Sequence, residues 1–287
     1  MRCRSIQPYT PLLTIERNNF RGLLDESGTP TPSGMQASRF PIGPMWYRAI
    51  DVASKIGPKG DTKLNCVTDM LEIAVLCSLQ RPIFLRPWGY TQVAGLLHTA
   101  FAHPLSDHLT LVNAFNAYFH VRTIHKARKA ARDKPAAERS EQEALDAAKP
   151  DFSLEGWCHV HALSSPALED AITMRRQLNR SLAAADISGS RAEITDLTTV
   201  RKALALAFPN RVAIHHAGSA YRAVPENTGG LVLPASPLFG RTSEWIIQTH
   251  FQTTGRRQYF GPATAINAEW LVVRSLRPAP HQCWLDH

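Results

Sequence analysis

The chain has 287 residues, 44% of them hydrophobic, enough to bury a substantial core. No apolar run approaches the length of a membrane span, and the basic N-terminus lacks a continuous apolar segment, so neither a bilayer-spanning helix nor a secretory signal is expected. A net charge of +8 and a pI near 9.5 favour a polyanionic partner, while five scattered cysteines argue for a reducing, intracellular compartment.

Residues 1–20 show no period. A turn-rich stretch, LDESGTPTPSG, begins at Leu24, and helical spacing follows Pro44 through MWYRAIDVASKIG to Gly57. After the loop PKGDTKLN, the segment TDMLEIAVLCSLQ is apolar on nearly every face and ends at Pro82, as suits a helix at the centre of a helical domain. Two amphipathic helices are expected over 88–102 and 107–119, split by His103-Pro104.

The segment 120–150 is rich in Ala, Lys, Arg and Glu, basic first and acidic later. It reads as an exposed helical insertion broken near Pro135, whose basic half is either an RNA contact or a solvated face. Two more helices follow Phe152. The second is capped by Ser165, with Pro166 at its first position, Glu169 and Asp170 in its first turn, and Leu168, Ala171, Ile172, Leu178 and Leu182 on one face. A short helix, TDLTTVRKALALAF, ends at Pro209. Beyond it the period drops to two: RVAIHH, AYRAV, GLVLP, EWIIQTHFQT and RRQYF predict five strands of a small β-barrel, with an OB type as one option.

Five collinear segments resemble the C-terminal region of DEAH-box RNA helicases. In LDESGTPTPSGMQASRFPIGP, Leu24, Asp25, Gly28, Thr31, Gly34, Phe40, Pro41 and Pro44 are similar to the end of the family's winged helix, although Pro30 and Ser33 replace two leucines. CVTDMLEIAVLCSLQRPIFLRP resembles the first helix of the ratchet bundle and the motif after it, here Ile83, Phe84, Arg86 and Pro87. Asp107, His108, Leu109, Thr110, Leu111 and Asn113 match a D-H-L-T-L-L-N pattern. In the fourth segment Trp157, Cys158, Leu168, Ala171, Arg175, Gln177 and Leu178 fit, with Pro166 where arginine is usual. The fifth runs from Val200 through PASPLFGRTSEWIIQT to Thr253, Thr254, Ile266, Trp270 and Leu271; Leu233 replaces a usual histidine, and a family arginine is missing near Gly261.

The resemblance implies an α+β chain: an all-α helical bundle (a degenerate winged-helix end plus ratchet) followed by a small OB-like β-barrel. Its expected parts are an unassigned segment at 1–21, a partial winged-helix remnant at 22–57, a helical bundle at 58–190 carrying the insertion at about 120–150, an OB-fold at 191–275, and a tail at 276–287. It also implies an intracellular, nuclear protein that binds single-stranded RNA, with helicase motor domains or G-patch proteins as further partners. An OB module binds single strands through positive charge and aromatic faces. Here Arg201, Lys202, Arg222, Arg241, Arg256 and Arg257 supply the charge and Tyr221 and Phe239 the rings, with Tyr259 a further ring and a core role for Tyr221 and Phe239 as the alternative.

A phosphate-binding loop of the form GxxxxGK[ST] does not occur, nor does Asp-Glu-Ala-His, so no ATP, Mg²⁺ or catalytic residue is expected of this chain itself. Trp157-Cys-His-Val-His161 invites a zinc reading, but a structural site needs four ligands, and packing is the plainer role. The alternative to an RNA-binding accessory region is a stand-alone protein-interaction module derived from a helicase tail.

Overall fold

The structure, a computed structural model, describes residues 22–25, 27–54, 66–150, 152–185, 187, 197–224, 227–255 and 257–271. Expectations for 1–21, Gly57, the 58–65 loop, Arg256 and the tail lie outside them. In chain order the helices are α1 (Pro32–Ala37), α2 (Pro44–Ser54), α3 (Val67–Ser78), α4 (Thr91–His98), α5 (Asp107–Asp133), α6 (Glu141–Ala148), α7 (Leu154–Val160), α8 (Ser165–Ala184) and α9 (Thr198–Ala207). The strands follow: β1 (Val212–Ala217), β2 (Ala220–Ala223), β3 (Gly229–Val232), β4 (Trp245–Gln248), β5 (Phe251–Thr254), β6 (Arg257–Phe260) and β7 (Ala263–Ile266). A helical region followed by a barrel-like sheet is thus present. None of the helices among the described residues is long and apolar enough to cross a membrane.

The fold falls into two compact units, one from Met1–Ala74, Arg175–Val212 and Ile266–His287, the other from Val75–Met174 and Ala213–Ala265. In the first, the Asp25 carboxylate accepts from the Ser27 and Thr29 amides at 2.9 and 2.8 Å and from the Ser27 hydroxyl at 2.6 Å. That turn lays Leu24 against Pro30, and Thr31 then caps α1 through the Gly34 amide. Gly34 has no room for a side chain: a Cβ there would lie 2.0 Å from the Leu23 carbonyl oxygen. Helices α2 and α9 pack together, with Trp46 edge-on to Phe208 at 5.1 Å. Buried Glu72 receives the Arg175 guanidinium at 2.9 Å.

In the second unit, α5 does not stop near residue 119 as the sequence predicts. It runs for 27 residues to Asp133, because its Ala-, Lys- and Arg-rich half has strong helix propensity and no breaker before Pro135. Its base is fixed by Glu169, which accepts from Tyr118 Oη at 2.7 Å and from Arg122 Nη2 at 2.7 Å. Burial works against that carboxyl's charge, yet Arg122 and Tyr118 hold it below the usual range. Helix α6 folds back beside α5, clipped by Arg139 to the carbonyls of Arg132 and Lys134, and starts with a Ser140–Glu143 capping box.

The sheet is a curled half-barrel in the order β5-β6-β3-β2-β1-β4-β7. Seven strands replace the five expected: EWIIQTHFQT divides at Thr249-His250 into β4 and β5, and ATAI forms β7. A four-residue run with no alternation, buried throughout, carries little strand signal of its own. Tyr221, Val232, Ile246 and Phe260 fill the concave side with Leu238 and the alanines of β1, β2 and β7.

Candidate nucleic-acid interface

Strand alternation decides which β-module residues reach solvent. On β2, Tyr221 points inward and is 1% exposed, while its neighbour Arg222 is exposed. Tyr221 pairs with Gly230, and Arg222 with Gly229, on β3. Strand β3 runs parallel to β6, with Leu231 opposite Tyr259. Arg222 and Arg257 therefore meet across a glycine step, lining one cleft of about 320 Å³ with His216, Asn227 and Gln258. Among the described residues lining it, none is acidic.

The glycines make the cleft possible. A Cβ on Gly230 would lie 3.0 to 3.2 Å from the buried Phe260 ring, whereas one on Gly229 would meet nothing within 4 Å and would project into open space. Asn227 adopts a left-handed φ of 49° just before β3, a conformation its short polar side chain tolerates.

The remaining candidates divide. Arg241 is exposed and Phe239 is 48% exposed, both in the turn between β3 and β4, which the Ser219 hydroxyl holds by accepting from the Gly240 amide at 3.3 Å. Arg201 and half-buried Lys202 belong to α9 in the first unit. The Arg201 guanidinium sits over the Trp270 ring at 5.4 Å, and burial lowers its pKa. Tyr221 offers no face to a base; its ring is core, edge-on to His215 at 5.3 Å. The structure thus brings Arg222 and Arg257 together. It leaves Phe239 and Arg241 on a separate turn and commits Tyr221 to packing.

Asn227 and Gln258 escaped the sequence reading, since neither has an aromatic ring or a fixed charge. His216 is exposed at an irregular step of β1, between His215 and Ala217, where strand alternation is interrupted. The Trp157–His161 cluster is spent on packing: Trp157 stacks on His161 at 4.2 Å, and burial pushes the Cys158 thiol up to about 11. Among the described residues no group of three or more metal-ligating side chains converges.

No protein-family model matches the chain. It is 25% identical over 255 residues to the pre-mRNA-splicing factor ATP-dependent RNA helicase prp22 of Schizosaccharomyces pombe, covering 87% of this chain and 18% of that protein. It is also 26% identical over 261 residues to the probable ATP-dependent RNA helicase DHX35 of Homo sapiens, covering 91% of this chain and 31% of the relative. The chain is a homologue of part of the DEAH-box RNA helicases. It spans less than a third of the length of these curated relatives, which fits a C-terminal region of a DEAH-box helicase.

Proposed function

We propose that this chain is the C-terminal accessory region of a DEAH-box RNA helicase, divided as remnant winged helix, ratchet bundle and OB-fold, and that it binds single-stranded RNA without hydrolysing ATP by itself. The observation that carries the reading is the cleft shared by Arg222 and Arg257 on the outer face of the curled sheet. Two guanidinium groups beside a glycine floor admit a phosphodiester closely, and contacts of this kind carry little sequence information. Phe239 supplies the exposed ring on which a base stacks. The splicing role named for prp22 supports a nuclear location. Fluorescence anisotropy of a labelled oligouridylate is the test. Binding that weakens steeply with salt and is lost on double substitution of Arg222 and Arg257 supports the reading; binding indifferent to both rejects it.

A protein-interaction role is favoured by a different surface. Trp88 is 98% exposed, Tyr90 68%, Val93 54% and Leu96 71%, a contiguous stretch of apolar side chains turned to water. Motor domains or a G-patch protein are the partners this reading assigns to that surface.

A further inference from the structure

A second concavity lies in the unit formed by Val75–Met174 and Ala213–Ala265, with a volume of about 420 Å³, a size typical of small-ligand sites. Phe84, Leu96, Pro234 and Pro262 give it flat apolar walls. Three ionisable groups, together with the hydroxyls of Thr99, Thr110 and Ser236, interrupt them. Arg86 and Asp107 both line the cavity without forming an ion pair with each other, although the guanidinium acts on the carboxyl through its charge. Asp107 is held in place by the Ala263 amide, which donates to Oδ2 at 2.9 Å.

His98 is the third group. It is 6% exposed, and its Nε2–H donates to the Ala162 carbonyl at 3.0 Å. The neutral ring then carries its lone pair on Nδ1, which is buried and has no hydrogen-bond partner among the described residues. A buried acceptor left unused costs stability.

We infer that this cavity takes a guanine nucleotide, as an unstacked base of a bound RNA strand or as the free nucleotide. The walls accept a planar ring. Guanine alone among the four bases presents two adjacent acceptors, O6 and N7, suited to a guanidinium, next to an N1–H and N2–H₂ edge suited to a carboxylate. Arg86 meets the first edge and Asp107 meets the other. Adenine offers a donor where guanine offers O6, and uracil has neither N7 nor an exocyclic amine. The inference rests on the RNA-binding reading only for the source of the guanine, not for the chemistry of the cavity.

The test uses the full chain in three arms. Calorimetry compares GMP with AMP; anisotropy compares an oligouridylate with the same strand carrying one central guanosine; both are repeated on Gly95→Met and Arg86→Ala. Gly95 lines the cavity from α4, and a Cβ there meets nothing within 4 Å, so the methionine side chain plugs the space without a clash in a helix that tolerates it. The expected result is a preference of about tenfold for GMP and for the guanosine-containing strand, abolished in both variants. Equal binding of GMP and AMP, or a preference that survives Gly95→Met, overturns the inference. Loss of all oligouridylate binding with the GMP preference intact removes only the RNA reading. Salt-sensitive binding of both strands alike, with no GMP binding, removes only the guanine site.

Discussion

His108 Nδ1 lies 2.8 Å from Thr264 Oγ1, joining the first turn of α5 to β7 across 156 residues of sequence. The bond belongs to an ordered chain. The Ser106 hydroxyl donates to Thr264 at 2.6 Å, Thr264 donates to Nδ1, and Nε2–H donates to Thr249 at 3.0 Å. Thr249 in turn donates to the Pro262 carbonyl at 3.4 Å. This assignment fixes the neutral Nε2–H tautomer, and complete burial lowers the His108 pKa to about 3.

Between pH 6.5 and 3 the unfolded chain binds a proton at His108 that the folded chain refuses, so His108 makes stability fall as pH falls through that window. Asp107 has the opposite sign. Burial raises it from 3.8 to about 6, so between those values the folded state holds the extra proton and the group favours folding on acidification. Urea midpoints measured from pH 7 to pH 4 are expected to show a shallow decline in the native protein. Asp107→Asn steepens it towards about 1.4 kcal/mol per pH unit, and His108→Gln reverses its sign below pH 6.

Gly230→Ala is expected to cost about 1–3 kcal/mol, because the new methyl meets a buried, rigid Phe260 ring. Gly229→Ala leaves thermal stability nearly unchanged, since its Cβ points into open space, but narrows the cleft and weakens RNA binding. Thermal melts and anisotropy on the two variants separate the two effects.

Arg222→Ala and Arg257→Ala are each expected to reduce the dependence of log affinity on log salt by about 0.7, the contribution of one phosphate contact on a single strand. Arg201→Ala is expected to leave that slope unchanged and to lower the melting temperature, because its guanidinium stacks on Trp270.

Arg175→Met removes the guanidinium that pairs with the fully buried Glu72 carboxylate and is expected to cost about 3–5 kcal/mol. The double replacement Glu72→Met with Arg175→Met is expected to recover most of that loss, since the buried carboxylate is removed together with its cation. A chemical-denaturation double-mutant cycle reads the difference directly.

Local chemistry made much of this molecule legible beforehand. Ser106 caps α5 through the Leu109 amide, the Lys134-Pro135 step ends that helix, and the all-round apolar spacing of α3 corresponds to a buried helix. Capping, proline geometry and apolar periodicity act over a few residues, so spacing alone records them. The sequence likewise determined the family likeness and the change from helix to strand near Pro209.

Tertiary structure decided the rest. It assigned Arg201 to Trp270 and paired Arg222 with Arg257. It turned Tyr221 inward and left Phe239 half in water. It also leaves Gly261 no room for a side chain: a Cβ there would lie 2.8 Å from His250 Cβ and 2.9 Å from its carbonyl oxygen. The meeting of Arg222 with Arg257 and the burial of Tyr221 depend on which strands become neighbours. Strand pairing joins segments with no fixed separation along the chain, so local spacing cannot encode it.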